Sequence, residues 1–422
     1  MFRYTYLIPL HGIHCKKPIY MSMHSLMFGW EYPPLHLGGL GVACQGLVRG
    51  LLGNGVKVTL ILPHESETDD AEVRFPTDEF IQKLRVCSML QPYNTFESFE
   101  ANIRKVPKNK KDVYGNDLGE AISNYTEMSV KMTEDLNPDV VHCHDWMTYE
   151  AGRRSAEHHN VPMVAHIHAT ELDRTNNAPN EYIYQKERMG FEAADRIIAV
   201  SNYTKNVLVE HYGIALEKIS VVHNGSADMP PSHELLEFKR TQKKQHPLVL
   251  FLGRLVTQKG AVQFLEMASI VHQTKPEVNF VMAGDGHMFE ELVDLSCKFG
   301  LQDSVIFAGK VGSMEAKQLY TQADCFVMPS ISEPFGLVAL EAISHGTPVI
   351  LSRQSGASEV VDDCFQVDFW DTAKMADCVL TILREEPLAH QLRSYAPRIL
   401  NKLTWQRQAS HVQSVYTDLI HC

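Results

Sequence analysis

Two glutamates near the end of the chain, Glu333 and Glu341, lie eight positions apart around a Pro-Phe-Gly turn. The second lies in an apolar run with helical periodicity, and Pro334 suits the first turn of that helix, where its missing N–H costs nothing. The next three amides would be free donors at a helix N-terminus, which is a ready anion site. They belong to Phe335, Gly336 and Leu337. With Glu341 about two turns inside the helix, the segment could hold a phosphate and a sugar together. The alternative is a buried amphipathic helix with two incidental glutamates.

Two cationic side chains follow a purely apolar strand in the second half of the chain. Arg254 and Lys259 come directly after the strand predicted at Leu248–Leu252. A guanidinium makes bidentate contacts with phosphate, and an ammonium supplies a point charge. The pair therefore indicates a phosphate site in the same domain as the glutamates, unless the two side chains are only a solvated pair at a strand end.

Glycine-rich turns at the ends of predicted strands form a third group of candidates. Gly38 and Gly39 follow the first strand, where glycines let backbone amides approach a phosphate closely. The glycine run that they open is neither the dinucleotide motif nor a P-loop, so it indicates either an anion contact or a tight turn. Gly284 and Val311 lie in two further strand-end turns, which would either border a base or ribose or only turn the chain.

Histidines cluster at the ends of two further predicted strands. They are His142 and His144 on one strand and His166 and His168 on the next, with Cys143 between the first two. Metal ions need deprotonated ligands at fixed geometry, and no second Cys/His pair follows here at zinc spacing. We therefore predict no metal site.

Three residues of this histidine-rich region are candidates for substrate contact. His168 lies at its strand end and is predicted to contact a sugar or the transition state; the alternative is a hydrogen-bonded core histidine. Asp145 and Trp146 fit a helix cap and a packed aromatic as well as they fit a substrate role. The sequence leaves these alternatives open.

The composition is that of a soluble globular enzyme. The 422 residues are 44% hydrophobic and 21% charged, and the net charge of −12 argues against nucleic-acid and anionic-membrane partners. Nine scattered cysteines, an odd number without paired spacing, favour reduced thiols and a cytoplasmic location. No apolar run approaches the ~20 residues of a membrane span.

Alternating strands and helices predict two α/β domains in tandem. We assign residues 21–228 to an N-terminal Rossmann-like domain, 229–246 to a linker, 247–400 to a C-terminal Rossmann-like domain and 401–422 to a final helix. Residues 1–20 are expected to be a disordered or misassigned extension rather than a signal peptide. The polar region 64–134 is hard to assign. Parallel sheets bind ligands beyond the carboxyl ends of their strands, where most candidate residues fall.

Together these segments resemble the family-four retaining glycosyltransferases of the GT-B fold, in which two Rossmann-like domains face each other across a cleft. The resemblance covers nearly the whole chain from Ser22, apart from the region around 64–134, and it rests on the paired glutamates, the Arg254 and Lys259 pair and the glycine run. The segments 144–146, 168–171 and 200–205 look like the bacterial glycogen-synthase-like branch. His36 stands where bacterial glycogen synthases carry a lysine, so the resemblance leaves the preference for ADP-sugars open.

The resemblance implies a metal-independent transfer of a hexose to a saccharide acceptor, with retention of the anomeric configuration and no cofactor. UDP- or ADP-glucose is the expected donor and an α-glucan the expected acceptor. Arg254, Lys259 and the amides of the two glycine-containing segments would stabilise the charge that develops on the diphosphate. Glu333 would bind the sugar hydroxyls, Glu341 the ribose and His168 the sugar near its reacting carbon. The final helix is expected to cross back to the first domain, so that domain closure assembles the site.

Other activities on the same two-domain plan stay open. The transferase could act on a glycolipid, a small saccharide or another non-glucan acceptor. A sugar-nucleotide epimerase would need acid/base carboxylates in both domains, which is not the pattern of residues found here. A non-catalytic glucan-binding protein is a further alternative, although the charged residues expected of the second domain are all present.

Overall fold

The computed structural model describes residues 23–33, 39–63, 81–86, 118–226, 229–241 and 244–421. The predicted extension at 1–20, His36 and Gly38 lie outside these residues, as does much of the region 64–134. Two parallel sheets, each packed against helices, form the described part of the chain. This arrangement confirms the predicted α/β fold with two Rossmann-like domains.

The first domain contains a seven-stranded sheet with the order β3-β2-β1-β4-β5-β6-β7, paired in parallel. Its strands are β1 (His24–Phe28), β2 (Lys57–Pro63), β3 (Ile81–Val86), β4 (Val140–His144), β5 (Met163–Ile167), β6 (Arg196–Ala199) and β7 (Ile219–Val221). Its helices are α1 (Gly39–Gly53), α2 (Leu118–Thr133), α3 (Trp146–His159), α4 (Glu171–Thr175), α5 (Glu181–Ala193) and α6 (Asn202–Tyr212), with a 3₁₀ turn at Leu216–Lys218. Strands β1, β4 and β5 are buried along their whole length, because helices cover both faces of the sheet.

The second domain contains a six-stranded parallel sheet with the order β10-β9-β8-β11-β12-β13. Its strands are β8 (Leu248–Leu252), β9 (Asn279–Ala283), β10 (Val305–Gly309), β11 (Cys325–Met328), β12 (Val349–Ser352) and β13 (Phe365–Val367). Its helices are α7 (His233–Thr241), α8 (Ala261–Thr274), α9 (Phe289–Lys298), α10 (Ser313–Gln322), α11 (Leu337–Ser344), α12 (Thr372–Arg384), α13 (Glu386–Ser394) and α14 (Ala396–Lys402), with 3₁₀ turns at Thr257–Lys259 and Gly356–Glu359. Strand β8 agrees with the sequence prediction to the residue.

Each sheet reverses its strand order at one place, between β1 and β4 in the first domain and between β8 and β11 in the second. Loops that leave neighbouring strands on either side of such a reversal diverge and open a crevice, which is where doubly wound sheets bind ligands. The Arg254 segment follows β8, and the Glu333 segment follows β11. The two strands are directly paired, so the fold brings the two segments to the same edge of the sheet.

The final helix, α15 (Trp405–Ile420), packs against α1 of the first domain. Trp405 lies in a depression lined by glycines, and a Cβ added to Gly46 would lie only 2.1 Å from its ring. A Cβ on Gly50 would lie 2.6 Å from the carbonyl oxygen of Trp405, and one on Gly225 would lie 2.7 Å from its amide nitrogen. Tyr416, further along α15, belongs to the core between α1 and the first sheet. The last helix is therefore an integral part of the first domain's core.

Several elements differ from the sequence prediction. Helix α1 already begins at Gly39, so the described glycines of the predicted phosphate loop lie in the first helical turn. Helix α7 lies within the predicted linker, where Lys239 is buried and donates to the Tyr320 and Ala323 carbonyls and to Thr347 Oγ1 at 2.6–3.2 Å. These three acceptors explain why a basic run can be folded against the second domain. Strand β3 and helix α2 lie in the region that the sequence left unassigned.

Among the helices in the described part of the chain, none combines the length and the apolar character that crossing a membrane requires.

Candidate active site

The segment between β11 and α11 carries Glu333 and differs from the predicted helix start. Helix α11 begins at Leu337, so the prediction that Pro334 lies in its first turn is wrong. Gly336 takes the N-cap position with φ 104°, and a Cβ there would lie 2.9 Å from Met328 Cε. This left-handed turn, which favours glycine, delays the helix by one turn. Glu341 is consequently about one turn inside the helix rather than two.

The start of α11 nevertheless keeps the predicted donors. The amides of Phe335, Gly336 and Leu337 donate no hydrogen bond to another group in the described part of the chain. The preceding turn is held by the Phe335 carbonyl, which accepts from Ala357 N at 2.7 Å. Amides oriented in this way at the positive end of a helix dipole provide an anion site.

Lys259 and Glu333 form an ion pair beside this helix start. Lys259 Nζ lies 2.6 Å from Glu333 Oε2, which also accepts from Ser330 Oγ at 3.1 Å. The two side chains are 22% and 9% exposed, so the pair lies at the boundary between the interior and the cleft. The close approach depends on Gly260 (φ 70°), because a Cβ there would lie 1.9 Å from the Pro329 carbonyl oxygen. The fold therefore joins two residues that are 74 positions apart in the sequence.

The loop that carries Arg254 is supported by the next strand-end turn. Gly253 N donates to the Ala283 carbonyl at 2.9 Å, and Leu255 N donates to the Asp285 carbonyl at 2.9 Å. A Cβ on Gly284 (φ 147°) would lie 1.8 Å from the Gly253 carbonyl oxygen. The structure thus gives Gly284, which the sequence predicts to bind substrate, a packing role behind the Arg254 loop.

The two remaining candidates of the second domain lie near the same edge. Glu341 is half-buried, and its Oε2 accepts from Tyr320 OH at 2.9 Å. Val311 is half-buried and packs against the core beside α11. Their predicted contacts with a ribose or a base stay predictions.

In the first domain, Asp145 and His168 meet at the ends of β4 and β5. Asp145 has φ 60°, an uncommon backbone conformation for a residue other than glycine, and its side chain does not cap α3. Its Oδ1 accepts from His168 N at 2.8 Å, and its Oδ2 lies 3.5 Å from Arg174. Asp145 therefore fixes the backbone of His168. Trp146 is buried and stacks edge-on against Tyr182, as a packed aromatic.

The histidines form a closely packed set on one face of the sheet. His142 is hydrogen-bonded to Tyr416 OH at 2.5 Å and to His166 at 3.1 Å, and His144 lies 3.0 Å from His168 Nε2. Burial, followed by the charge of Arg174, lowers the pKa of His168 to about 3, so this ring is neutral at pH 7. A neutral imidazole at this strand end can exchange hydrogen bonds with a sugar.

The same histidines also test the prediction that no metal is bound. One ring nitrogen from each of His142, His144 and His166 lies within 4.8 Å of the others. In the described part of the chain, Nε2 of His144 and of His166 are buried without a hydrogen-bond partner. Zinc–imidazole bonds are about 2.0–2.1 Å long, so the three nitrogens would have to move closer together to share one ion. The absence of a metal stays a prediction.

Arg174 lies at the centre of a buried acidic group in the first domain. It lies 3.2 Å from Glu187, 3.5 Å from Asp145 and 4.0 Å from Glu171. Glu187 also accepts from the Glu171 amide and from Tyr212 OH. Burial raises the pKa of Glu187 to about 7. This group fixes the start of α4 behind His168.

Comparison with known proteins identifies the family. Residues 37–226 match the model of Glycosyltransferase Family 4, and residues 233–399 match that of Glycosyl transferases group 1. The chain is 31% identical over 354 residues to an uncharacterized glycosyltransferase from Methanocaldococcus jannaschii, covering 80% of this chain and 83% of that protein. It is 30% identical over 415 residues to the glycogen synthase of Mycobacterium tuberculosis, covering 93% of this chain and 94% of that protein. The chain belongs to glycosyltransferase family 4.

The fold of this glycosyltransferase agrees with that assignment. It is similar to sucrose-phosphate synthase from Thermosynechococcus elongatus, with a TM-score of 0.74, 19% sequence identity and coverage of 95% of this chain and 100% of that one. The similarity extends over both domains, so it confirms the predicted GT-B architecture. Its membership of the family makes the chain an enzyme of the transferase class.

Two parts of the glycosyltransferase site were missed by sequence reasoning. Asp173 on α4 reaches across to Ser332 in the second domain, with a Ser332 Oγ–Asp173 Oδ1 distance of 2.5 Å. The Thr-x-x-Asp spacing of a capping box at Thr170 gave a local signal for Asp173, and the structure contains that box. Ser332 carried no signal, because its partner lies 159 positions away.

The two predicted glycine segments also approach each other across the domains. A Cβ added to Gly39, at the start of α1, would lie 3.5 Å from Leu337 Cδ1, at the start of α11. The starts of two helices from different domains are therefore adjacent. An anion held at the α11 start would lie close to the first turn of α1.

Proposed function

We propose that this glycosyltransferase moves glucose from a nucleotide-diphosphate glucose to the end of an α-glucan, with retention of the anomeric configuration. The observation that carries the proposal is the Lys259–Glu333 pair beside the amides of Phe335–Leu337. It combines a cation, an anion site and a carboxylate at the switch point of the second sheet. Such a site suits a ligand that is a phosphate at one end and a polyol at the other.

Two further observations support the choice of substrates. The alignment with the Mycobacterium tuberculosis glycogen synthase covers nearly the whole length of both chains, which favours a glucosyl donor and a glucan acceptor. The six described free cysteines are consistent with a reducing compartment, so a cytoplasmic location stays part of the proposal.

The chemistry proposed for the second domain is electrostatic. Arg254, Lys259 and the α11 amides hold the diphosphate and stabilise the negative charge that grows on it as the bond from the sugar carbon breaks. Glu333 Oε2 accepts from Lys259 and Ser330, while Oε1 has no hydrogen-bond partner among the described residues and is available to the sugar hydroxyls. Glu341 binds the ribose hydroxyls.

The last part of the proposed mechanism is the attack of the acceptor hydroxyl on the sugar, beside His168. His168, held through its backbone by Asp145, contacts the sugar near the reacting carbon as a neutral imidazole. The acceptor hydroxyl attacks from the face that the diphosphate leaves. A new bond from the acceptor oxygen to the sugar carbon replaces the bond to the phosphate oxygen, and that phosphate oxygen receives the acceptor's proton.

A donor screen tests this proposal. The purified protein is incubated with UDP-, ADP- and GDP-glucose, with and without maltooligosaccharide, and nucleotide release is followed. Release from UDP- or ADP-glucose that increases with maltooligosaccharide supports a glucan synthase and identifies the donor. Release that maltooligosaccharide leaves unchanged overturns the choice of acceptor and points to a glycolipid or a small saccharide. No release from any donor overturns the catalytic role.

A further inference from the structure

We propose that Asp173, Ser332 and Tyr203 form an interdomain latch that positions Glu333 against the first domain for transfer. Asp173 and Tyr203 belong to the first domain, and Ser332 immediately precedes Glu333 in the second. The effect on kcat that we expect rests on the proposed function. The contact between the two domains rests on the geometry alone. The three residues are positioning residues, since none of them is placed against the reacting atoms.

Asp173 divides its carboxylate between the two domains. Its Oδ2 accepts from the amide and the hydroxyl of Thr170, both at 2.7 Å, which closes the capping box of α4. Its Oδ1 accepts from Ser332 Oγ at 2.5 Å. Asp173 is 2% exposed and Ser332 7%, so water does not readily replace either partner. A buried carboxylate is costly to leave without its hydrogen bonds, which favours the closed arrangement of the domains.

Ser332 presents its hydroxyl from a firmly held backbone. The neighbouring amides of Ile331 and Glu333 each donate at 2.9 Å to carbonyls of the second domain, those of Gln258 and Gln354. Loss of the contact with Asp173 therefore leaves the Glu333 loop in place within its own domain. What changes is the position of α4, and of His168 just before it, relative to Glu333.

Tyr203 connects the interdomain latch to a second contact between the domains. Its hydroxyl donates to Ser332 Oγ at 3.1 Å, and its amide donates to Glu359 Oε1 at 2.6 Å. The Glu359 carboxylate also accepts from the amide and the side chain of Asn202 and is hydrogen-bonded to His223, at 2.8–3.0 Å. Four bonds converge on Glu359, whereas two bonds of the interdomain latch meet at Ser332, one from Asp173 and one from Tyr203. The Glu359 contact is thus the pivot, and the interdomain latch is the part that opens.

Because the interdomain latch can open while the Glu359 contact holds, nucleotide binding and sugar transfer should respond differently to its loss. The groups proposed to hold the nucleotide all lie in the second domain, namely Arg254, Lys259, Glu341 and the start of α11. His168, by contrast, reaches the sugar only when the first domain is closed against Glu333. Opening the interdomain latch should therefore lower the turnover number while the nucleotide Kd stays unchanged.

The test compares Ser332→Ala, Asp173→Asn and the double variant in the full-length chain. The control is Ser394→Ala, which removes an exposed hydroxyl of the same domain whose one hydrogen bond within the described residues goes to the Gln391 carbonyl. For each variant we measure the Kd of the nucleotide that the wild type binds, kcat in the presence of maltooligosaccharide, and hydrogen exchange of the amides in 170–175. Circular dichroism shows whether each variant folds.

Ser332→Ala is expected to lower kcat about tenfold to a hundredfold, the size of one hydrogen bond to a charged group, with a nucleotide Kd within twofold of the wild type. Amides 170–175 should exchange faster although the substitution lies in the other domain. The double variant should lose less than the sum of the two single losses, because the Asp173–Ser332 bond that both changes affect can be lost only once. Unchanged exchange in Ser332→Ala, a wild-type kcat in that variant, or additive losses in the double variant would each overturn the interdomain latch.

The hydrogen-exchange result distinguishes this inference from the proposed function. If the wild type turns over no nucleotide sugar, the proposed function fails, yet faster exchange of 170–175 in Ser332→Ala still supports the contact between the domains. If the wild type is active but exchange at 170–175 does not respond to Ser332→Ala, the proposed function stands and the interdomain latch fails.

Discussion

Lys259 Nζ lies 2.6 Å from Glu333 Oε2, so the ammonium proposed for the diphosphate and the carboxylate proposed for the sugar form one ion pair. The pair is partly buried, and the charge of each side chain is compensated by that of the other. Removing one charge leaves the other without its partner, and the first prediction concerns the loss of the Glu333 charge.

Glu333→Gln should lower turnover far more than it weakens nucleotide binding. Glutamine keeps the shape of the side chain but loses the charge that pairs with Lys259, which stays available to the diphosphate. We expect kcat to fall on the order of a hundredfold, as when one preorganised electrostatic group is removed, with a nucleotide Kd within about threefold. The measurements are steady-state kinetics and calorimetry, with Glu385→Gln on the surface as the control. A variant that loses only nucleotide affinity would move Glu333 from the sugar to the nucleotide.

Arg254→Ala should lose transition-state stabilisation of about 3 kcal/mol, the usual size of one such donor. The guanidinium follows β8 at the switch point, where the leaving diphosphate is proposed to lie. The ratio of kcat/KM values measures the loss. Arg384→Ala, which removes a 70% exposed arginine of the same domain, should leave kcat/KM unchanged. Turnover like that of the wild type in Arg254→Ala would contradict the phosphate site.

Gly284→Ala should disrupt the site through the Arg254 loop, although Gly284 carries no side chain. The added Cβ would lie 1.8 Å from the Gly253 carbonyl oxygen, so the loop must shift. Gly300→Ala is a matched control, because Gly300 also has a positive φ (72°) but no atom within 4 Å of the added Cβ. The control should cost only about 1–2 kcal/mol of backbone strain in a denaturation experiment and keep its kcat. Equal kcat values for the two variants would show that the packing behind Arg254 is irrelevant.

Much of the fold could be predicted from the sequence, because its signals are local. Parallel strands buried on both faces appear as continuous apolar runs, as Leu248–Leu252 does. The start of α11 was mispredicted, since the left-handed turn at Gly336 depends on how that loop packs against Met328. Strand β3 and helix α2 lie in polar sequence with weak periodicity.

The sequence could predict the residues of the candidate site but not their pairings. The residue types at strand ends identified Arg254, Lys259 and Glu333, because parallel sheets place such ends together. The pairing of Lys259 with Glu333, and of Asp173 with Ser332, depends on tertiary contacts between residues 74 and 159 positions apart. A single sequence contains no local signal for such distances.

The stability of the first domain should depend on the protonation of Glu187. Burial raises its pKa to about 7, whereas an ordinary glutamate titrates near 4.5. The folded state therefore binds this proton more tightly, so the group's stabilising contribution is complete below pH 4.5 and is lost as the pH rises through 7. The free energy of unfolding of the wild type minus that of Glu187→Gln should decrease from pH 4.5 to 8 by up to about 3 kcal/mol.

Chemical denaturation at pH 5 and pH 8 measures this difference, and buried histidines contribute equally to both proteins. Glu192→Gln, on the exposed side of the same helix, is the control. A difference between wild type and Glu187→Gln that is constant across this range, or that increases with pH, would show that Glu187 is charged throughout.

Real-time proton NMR of the reaction tests the proposed transfer most directly. The purified protein is mixed with UDP- and ADP-glucose and a maltooligosaccharide, and the anomeric protons of donor and product are followed together. We predict that the signal of one donor decreases while an α-linked glucosyl signal on the lengthened maltooligosaccharide increases at the same rate. A β-linked product, or no consumption of either donor, would contradict retaining glucosyl transfer by this site.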